Sequence, residues 1–228
     1  MPTKRSSLLN QTLAVTAKDI RSEIRLRYAV NAIVMFAVVT VIAISFASSG
    51  VGFDSALQGI VLWLVIYFSS IAALGQSFIK EEENRTAFAL KLYAPAMAVF
   101  CGKYLFNLLL LILLEIIVIP LYAGLVGLDI HCTGLFITII GLSTIGLAGA
   151  TTIIAAIISK ASIKGVLFAV LSFPLILPLL IIAIKGTQKS LLMSAVYLDG
   201  LPEIKFLVAY AVVMTLAGAL LFEYVWHE

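Results

Sequence analysis

AVFCGKYLFNLLLLILLEIIVIPLYAGL, running from Ala98 to Leu125, carries only two charged residues, Lys103 and Glu115. An α-helix crosses the hydrocarbon of a bilayer in roughly 17–25 apolar residues. The stretch is therefore a membrane span with length to spare. Its apolar residues run on continuously instead of alternating, which argues against a strand of a membrane β-barrel.

Working outward, five similar runs appear: Tyr28–Ser49, Leu57–Ile79, Leu135–Ile158, Val166–Ile184 and Phe206–Trp226. The chain has 228 residues, 62% of them apolar and 12% charged, with mean hydropathy +1.14. Soluble domains hold about 45–50% apolar and about 25% charged residues. A globule this apolar has too little polar surface to face water, so its solvent is lipid. The expectation is an all-α integral membrane protein with six transmembrane helices. It forms one polytopic domain over residues 1–228, comprising a leader (1–27) and the spans (28–228).

Basic residues report topology, because cytoplasmic loops accumulate Lys and Arg. With the N-terminus inside, twelve of fifteen fall on that side. Six lie in the leader (Lys4, Arg5, Lys18, Arg21, Arg25, Arg27), four around the second loop (Lys80, Arg85, Lys91, Lys103) and two in the fourth (Lys160, Lys164). Only Lys185, Lys189 and Lys205 fall outside. Six spans return the C-terminus to the cytoplasm. The basic pI of 8.8 is thus a topology signal and does not point to nucleic acid. The leader is too long and charged for a cleavable signal peptide, so the first span is expected to act as an uncleaved insertion signal. Cys101 and Cys132 fall at opposite ends of the third span and the loop after it, so no disulfide framework is implied.

In the leader, Leu13, Ala17, Ile20 and Ile24 recur at helical spacing, with Lys18, Arg21 and Arg25 opposite. That pattern predicts a helix lying in the membrane interface. Between the second and third spans, FIKEEENRTAFALKLYAP (Phe78–Pro95) is a charged island in an apolar chain. Glu81, Glu82 and Glu83 suit the positive end of a helix and Lys91 the negative end. Phe88 and Leu92 share a face, and Pro95 ends the run. This is a short transverse helix over residues 80–95, either a docking element or a well-capped connector.

Glu115 sits about halfway along the third span, where a carboxylate costs about 2.5–3.5 kcal/mol and faces protein or a wet cavity. It is a candidate for proton, substrate or subunit contact, or for a bond to a neighbouring helix; Pro120 follows it. Thr144, Ala148, Thr152 and Ala156 form a stripe of small residues, which is a packing signal. Pro174 and Pro178 in the fifth span imply a kink, a hinge or a re-entrant break. The loop after that span has length for a short helix against the outer leaflet.

Several chemistries lack their residues. Gly102-Lys103 is followed by Tyr104 and lacks the preceding phosphate-loop glycine, so this chain has no nucleotide-hydrolysing loop. No CxxC, CxxCH or HExxH occurs, and His131, near Cys132 and Asp129, is only a weak haem or metal candidate. No nucleophile–base–acid set can be assembled. No metal, catalytic residue or resident cofactor is expected.

The ordered set is distinctive: a basic leader, six spans, and the run through Thr86, Leu90, Leu92 and Ala94-Pro95, then Gly102-Lys103 and Asn107. With LLEIIVIPLYAGLVGLDI and GLSTIGLAGATTIIAAI following, the chain from about Phe78 to Ile184 resembles the haem exporter protein B family, CcmB. The resemblance implies an ABC-2-type permease whose leader is an elbow helix and whose island is a coupling helix gripped by a separate ATPase. Glu81, Glu82, Glu83, Arg85, Phe88, Leu90 and Leu92 would form that grip, with Glu115, Pro120, Pro174 and Pro178 transmitting its effect inside the membrane. It further implies the bacterial cytoplasmic (inner) membrane and two copies working with a CcmA-like ATPase. CcmC- and CcmD-like subunits and the haem chaperone CcmE would complete the system. ATP would be bound by the partner and haem handled by the complex. A permease of the same class moving a drug, lipid or polysaccharide is the first alternative, and an ion-coupled carrier using Glu115 is the second.

Overall fold

The computed structural model describes residues 8–48, 53–74, 78, 81, 87–159 and 164–227. Eight α-helices and no strand occur among them: α1 (Leu8–Leu26), α2 (Tyr28–Ala47), α3 (Ser55–Leu74), α4 (Ala87–Tyr93), α5 (Ala96–Tyr122), α6 (Thr133–Ser159), α7 (Lys164–Leu191) and α8 (Leu201–His227). Helices α2, α5, α6, α7 and α8 contain stretches long and apolar enough to cross a membrane. The apolar stretch Ser55–Ile71 of α3 is shorter than those five.

Helix α6 is the axis of the bundle. It packs chiefly on α8 and α7, and also on α5. Small residues permit this. A Cβ on Gly146 would stand 2.7 Å from Leu179 and 3.0 Å from Tyr210, and one on Gly149 would stand 3.3 Å from Thr215. The stripe of Thr144, Ala148, Thr152 and Ala156 is fully inside. Around α6, the larger core joins α2, α3, α5 and α7 through Ile33, Trp63, Leu111, Leu147 and Ile176. A second core at the α4 end gathers Val15, Phe78, Leu90, Phe100, Phe222 and Trp226. By contrast, α2 and α8 present rows of exposed apolar side chains, Met35, Val39 and Phe46 on one and Val212, Leu216 and Leu220 on the other. In lipid such rows incur no hydrophobic penalty.

Helix α1 is a separate rod laid against α5. Its stripe of Leu13 and Ile24 is exposed, and the face packed on the bundle is Thr12, Val15, Thr16, Asp19 and Glu23. At Arg27 the backbone enters the left-handed region, φ 53°, and α2 departs in a new direction. The Val30 N–H donates to Glu23 Oε1 at 3.0 Å, so a carboxylate from α1 caps the start of α2.

The prolines produce no break. Both Pro174 and Pro178 lie inside an uninterrupted α7, with exposed side chains. The re-entrant or broken form of this helix is therefore not the one adopted. A proline removes one backbone donor and loosens the turn before it. In that turn the Tyr210 hydroxyl donates to the Leu175 carbonyl at 2.8 Å. After Pro120, α5 widens into a π-turn, Ala123–Gly127. Ser45 Oγ donates to Leu125 O at 2.9 Å and Gln58 Nε2 to Gly127 O at 2.9 Å, supplying the partners that loosened carbonyls need in a membrane. Between α7 and α8 the expected short helix is a 3-10 turn, Tyr197–Gly200, steadied by Lys189, which donates to Asp199 O at 2.8 Å and pairs with Glu203 at 2.8 Å.

Candidate coupling site

The Gly102-Lys103 pair sits where α1 crosses α5. A Cβ on Gly102 would lie 2.7 Å from Val15 Cβ, so glycine is what allows the two helices to touch. The Thr16 hydroxyl donates to Gly102 O at 3.0 Å and closes the crossing. One residue on, Lys103 is 2% exposed. Its Nζ stands 3.0 Å from Asp19 Oδ2 and 3.0 Å from Glu81 Oε1. Lys18 Nζ approaches Asp19 Oδ1 at 3.1 Å and also pairs with Glu81. Two cations thus face two carboxylates, and Asp19 and Glu81 are themselves 7% and 8% exposed.

The cluster ties three segments that lie far apart in sequence: α1, Glu81 of the charged island, and the first turns of α5. Charges that have left water persist only if they are paired, and among the described residues each of these carboxylates meets both lysines. Burial works to lower the pKa of Lys18, but Asp19 and Glu81 outweigh it and hold that ammonium above its ordinary 10.5. The Lys103 ammonium also lies 5.5 Å from the centre of the Phe78 ring, within range of a cation–π attraction.

Helix α4 has two faces. Leu90, 7% exposed, enters the second core, where Phe222 packs on Trp226 at 5.3 Å and on Phe78 at 5.4 Å. Lys91 lies over the Trp226 ring at 5.5 Å. Phe88 and Leu92 are 72% and 76% exposed, and Tyr93 joins them at 66%. Of the residues assigned to an ATPase grip, the structure separates the outward Phe88 and Leu92 from the inward Leu90 and Glu81. Glu82, Glu83 and Arg85 lie outside the described residues. Sequence reasoning missed Lys18 and Lys103 as partners that Glu81 shares with Asp19, and missed Tyr93. A buried lysine in a span beside an acidic residue on an amphipathic leader was the available signal.

Deeper in the bundle, Glu115 is buried and accepts a hydrogen bond from the Thr144 hydroxyl of α6. Eight residues earlier on α5, Asn107 Nδ2 donates to Thr152 Oγ1 at 2.9 Å. Thr144 and Thr152 are also eight apart, so both bonds obey one antiparallel register. Of the readings open for Glu115, the geometry realises a bond to a neighbouring helix. His131 Nδ1 lies 3.0 Å from Leu191 O and the His131 backbone N–H donates to Ser190 O at 3.2 Å, which fastens the loop to the end of α7. Among the described residues no group of three or more His, Cys, Asp or Glu is arranged to hold a metal ion.

A bundle of long apolar helices whose buried charges pair with one another defines a multi-pass membrane protein. The residues brought together where α1 crosses α5 are Lys18, Asp19, Glu81 and Lys103. Over residues 10–222 the chain matches the CcmB protein family, and it belongs to that family. It is thereby a membrane permease component of the haem-exporter ABC system of cytochrome c biogenesis, a subunit type that is generally non-catalytic. No curated protein and no solved structure gives a match.

Proposed function

We propose that this chain is the six-span permease half of an ABC-2-type exporter, with α1 as interfacial elbow and α4 as coupling helix against a separate CcmA-like ATPase. The observation that carries the reading is the split face of α4: Phe88, Leu92 and Tyr93 are exposed beside a buried Leu90. Exposed aromatic and aliphatic side chains on a short helix outside the apolar spans fit a groove on a partner protein. Both termini lie in the cytoplasm, and the membrane is the bacterial inner membrane. The lysine distribution supports that orientation.

ATP-driven closure of the partner pushes on Phe88 and Leu92. The push reaches the bundle by two routes. Leu90 bears on the Phe222–Trp226 core, and Glu81, through Lys103 and Asp19, moves the base of α5 and the elbow together. Two such chains act with two ATPases, CcmC- and CcmD-like subunits and the haem chaperone CcmE, and ATP use releases the haem-loaded chaperone.

The test is purification of the chain from its native membrane in mild detergent. Recovery with an ABC ATPase and a haem-absorbing subunit is the expected result. An ATPase without any haem-absorbing subunit moves the substrate assignment to a drug, lipid or polysaccharide. Recovery without an ATPase sinks the coupling reading altogether. In the assembled system, reversing charge at Glu82 and Glu83 together is expected to uncouple ATP hydrolysis from cytochrome maturation while the protein remains in the membrane.

A further inference from the structure

We propose that the cleft enclosed by α1, α2 and α5 is a binding site for an anionic glycerophospholipid. The cleft has a volume of about 590 Å³. Phe106 and Leu110 of α5 form its floor, 8% and 5% exposed, and Ile24 and Leu113 stand at its rim. At 1.5 Å rise per residue, Phe106 to Leu113 extends about 10 Å along α5, enough to hold the upper part of an acyl chain. An unfilled apolar hollow in hydrocarbon forfeits dispersion contacts on its whole lining, so a lipid chain is the occupant at hand.

The mouth supplies the headgroup end. Arg27 lines it where the chain turns from α1 into α2, and its left-handed backbone fixes where the side chain starts. Glu23 shares the mouth, but its carboxylate accepts from the Val30 N–H and so serves the start of α2. Arg21 and Arg25 are exposed on α1 but are not part of the cleft lining, so Arg27 is the cation at its mouth. Among the described residues no carboxylate forms an ion pair with Arg21, Arg25 or Arg27. A cation at the mouth of an apolar cleft complements a lipid phosphate carrying net negative charge. Haem is amphipathic too, but its iron takes a His, Cys, Met or Tyr ligand, and none of these lines the cleft.

The test is native mass spectrometry of the full chain in detergent, incubated with phosphatidylglycerol or phosphatidylcholine of the same acyl chains. The wild type is expected to retain one phosphatidylglycerol in preference to phosphatidylcholine by about fivefold, the effect of one interfacial cation. Arg27→Asn keeps a residue that tolerates the left-handed backbone and should lose the preference; Arg27→Lys should keep it. Leu113→Trp fills the cleft from an exposed rim position and should reduce retention of both lipids, independently of the backbone at 27. Equal retention of the two lipids by the wild type overturns the proposal, as does an unchanged preference in Arg27→Asn. Displacement of the lipid by haem, or a dimer that Leu113→Trp dissociates, would equally assign the cleft to another occupant.

Discussion

Replacing Lys103 with methionine removes one of the two ammonium groups that meet Asp19 and Glu81 among the described residues. Lys103 is 2% exposed and touches both carboxylates at 3.0 Å, whereas the Lys18 side chain is 44% exposed. Breaking a buried pair from one side costs about 3–5 kcal/mol, because a charge is left without compensation. An exposed partner is worth about 0–1 kcal/mol. At roughly 2–4 °C per kcal/mol for a chain of this size, Lys103→Met should lower the melting midpoint by roughly 6–20 °C and Lys18→Ala by roughly 0–4 °C. The assay is thermal unfolding of the detergent-purified chain. Adding Asp19→Asn to Lys103→Met restores the charge balance, so the double variant should recover more than half of the loss. The reasoning is refuted if Lys103→Met melts with the wild type, or if the two substitutions simply add.

Three further outcomes follow from the same geometry. Gly102→Ala drives a Cβ into Val15 and should cost about 1–3 kcal/mol by overpacking, with Val15→Ala relieving it; a Gly102→Ala protein as stable as the parent would mean the helix crossing is not tight. Thr144→Val removes the donor to the Glu115 carboxyl and should cost about 1–3 kcal/mol, whereas Glu115→Gln should cost less; melting curves in the reverse order would count against the α5–α6 register. Lys18 is held above 10.5, so the stability it contributes is complete below 10.5 and is lost as pH rises through its raised value; Lys18→Met should flatten that alkaline decline, and an unchanged profile would contradict it.

Membrane character was legible because apolar runs of spanning length leave a chain no other solvent. Five of the six expected spans match helices long and apolar enough to cross a membrane, whereas the apolar stretch of α3, Ser55–Ile71, is shorter than the Leu57–Ile79 run suggested. The contents of the α1–α5 crossing were not legible. Asp19, Glu81 and Lys103 meet across 84 and 22 residues of sequence, and no local pattern specifies such a meeting. The stripe of Leu13, Ala17, Ile20 and Ile24 correctly marks one face of α1. Leu13, Ala17 and Ile24 of that face are exposed and Ile20 is half-buried against the larger core, while two threonines, Val15 and two carboxylates take the fully packed side. Hydropathy reports periodicity without saying which side is covered, and in lipid the apolar side need not be the inner one. The same ambiguity let Glu81 pass as a surface charge. Paired prolines suggest a break by their local chemistry, yet Pro174 and Pro178 face outward on an α7 that continues past them, with Tyr210 of another helix supporting the loosened turn.

The central claim, that the outward face of α4 meets the motor of the transporter, is tested most directly by cross-linking. In a background carrying Cys101→Ala and Cys132→Ser, single cysteines at Phe88, Leu92 and the exposed apolar position Leu216 of α8 would be cross-linked in native membranes. The account predicts a product with an ABC ATPase from positions 88 and 92, with a yield that changes on adding ATP, and none from position 216. No ATPase product at either α4 position, or equal yields at all three, would contradict it.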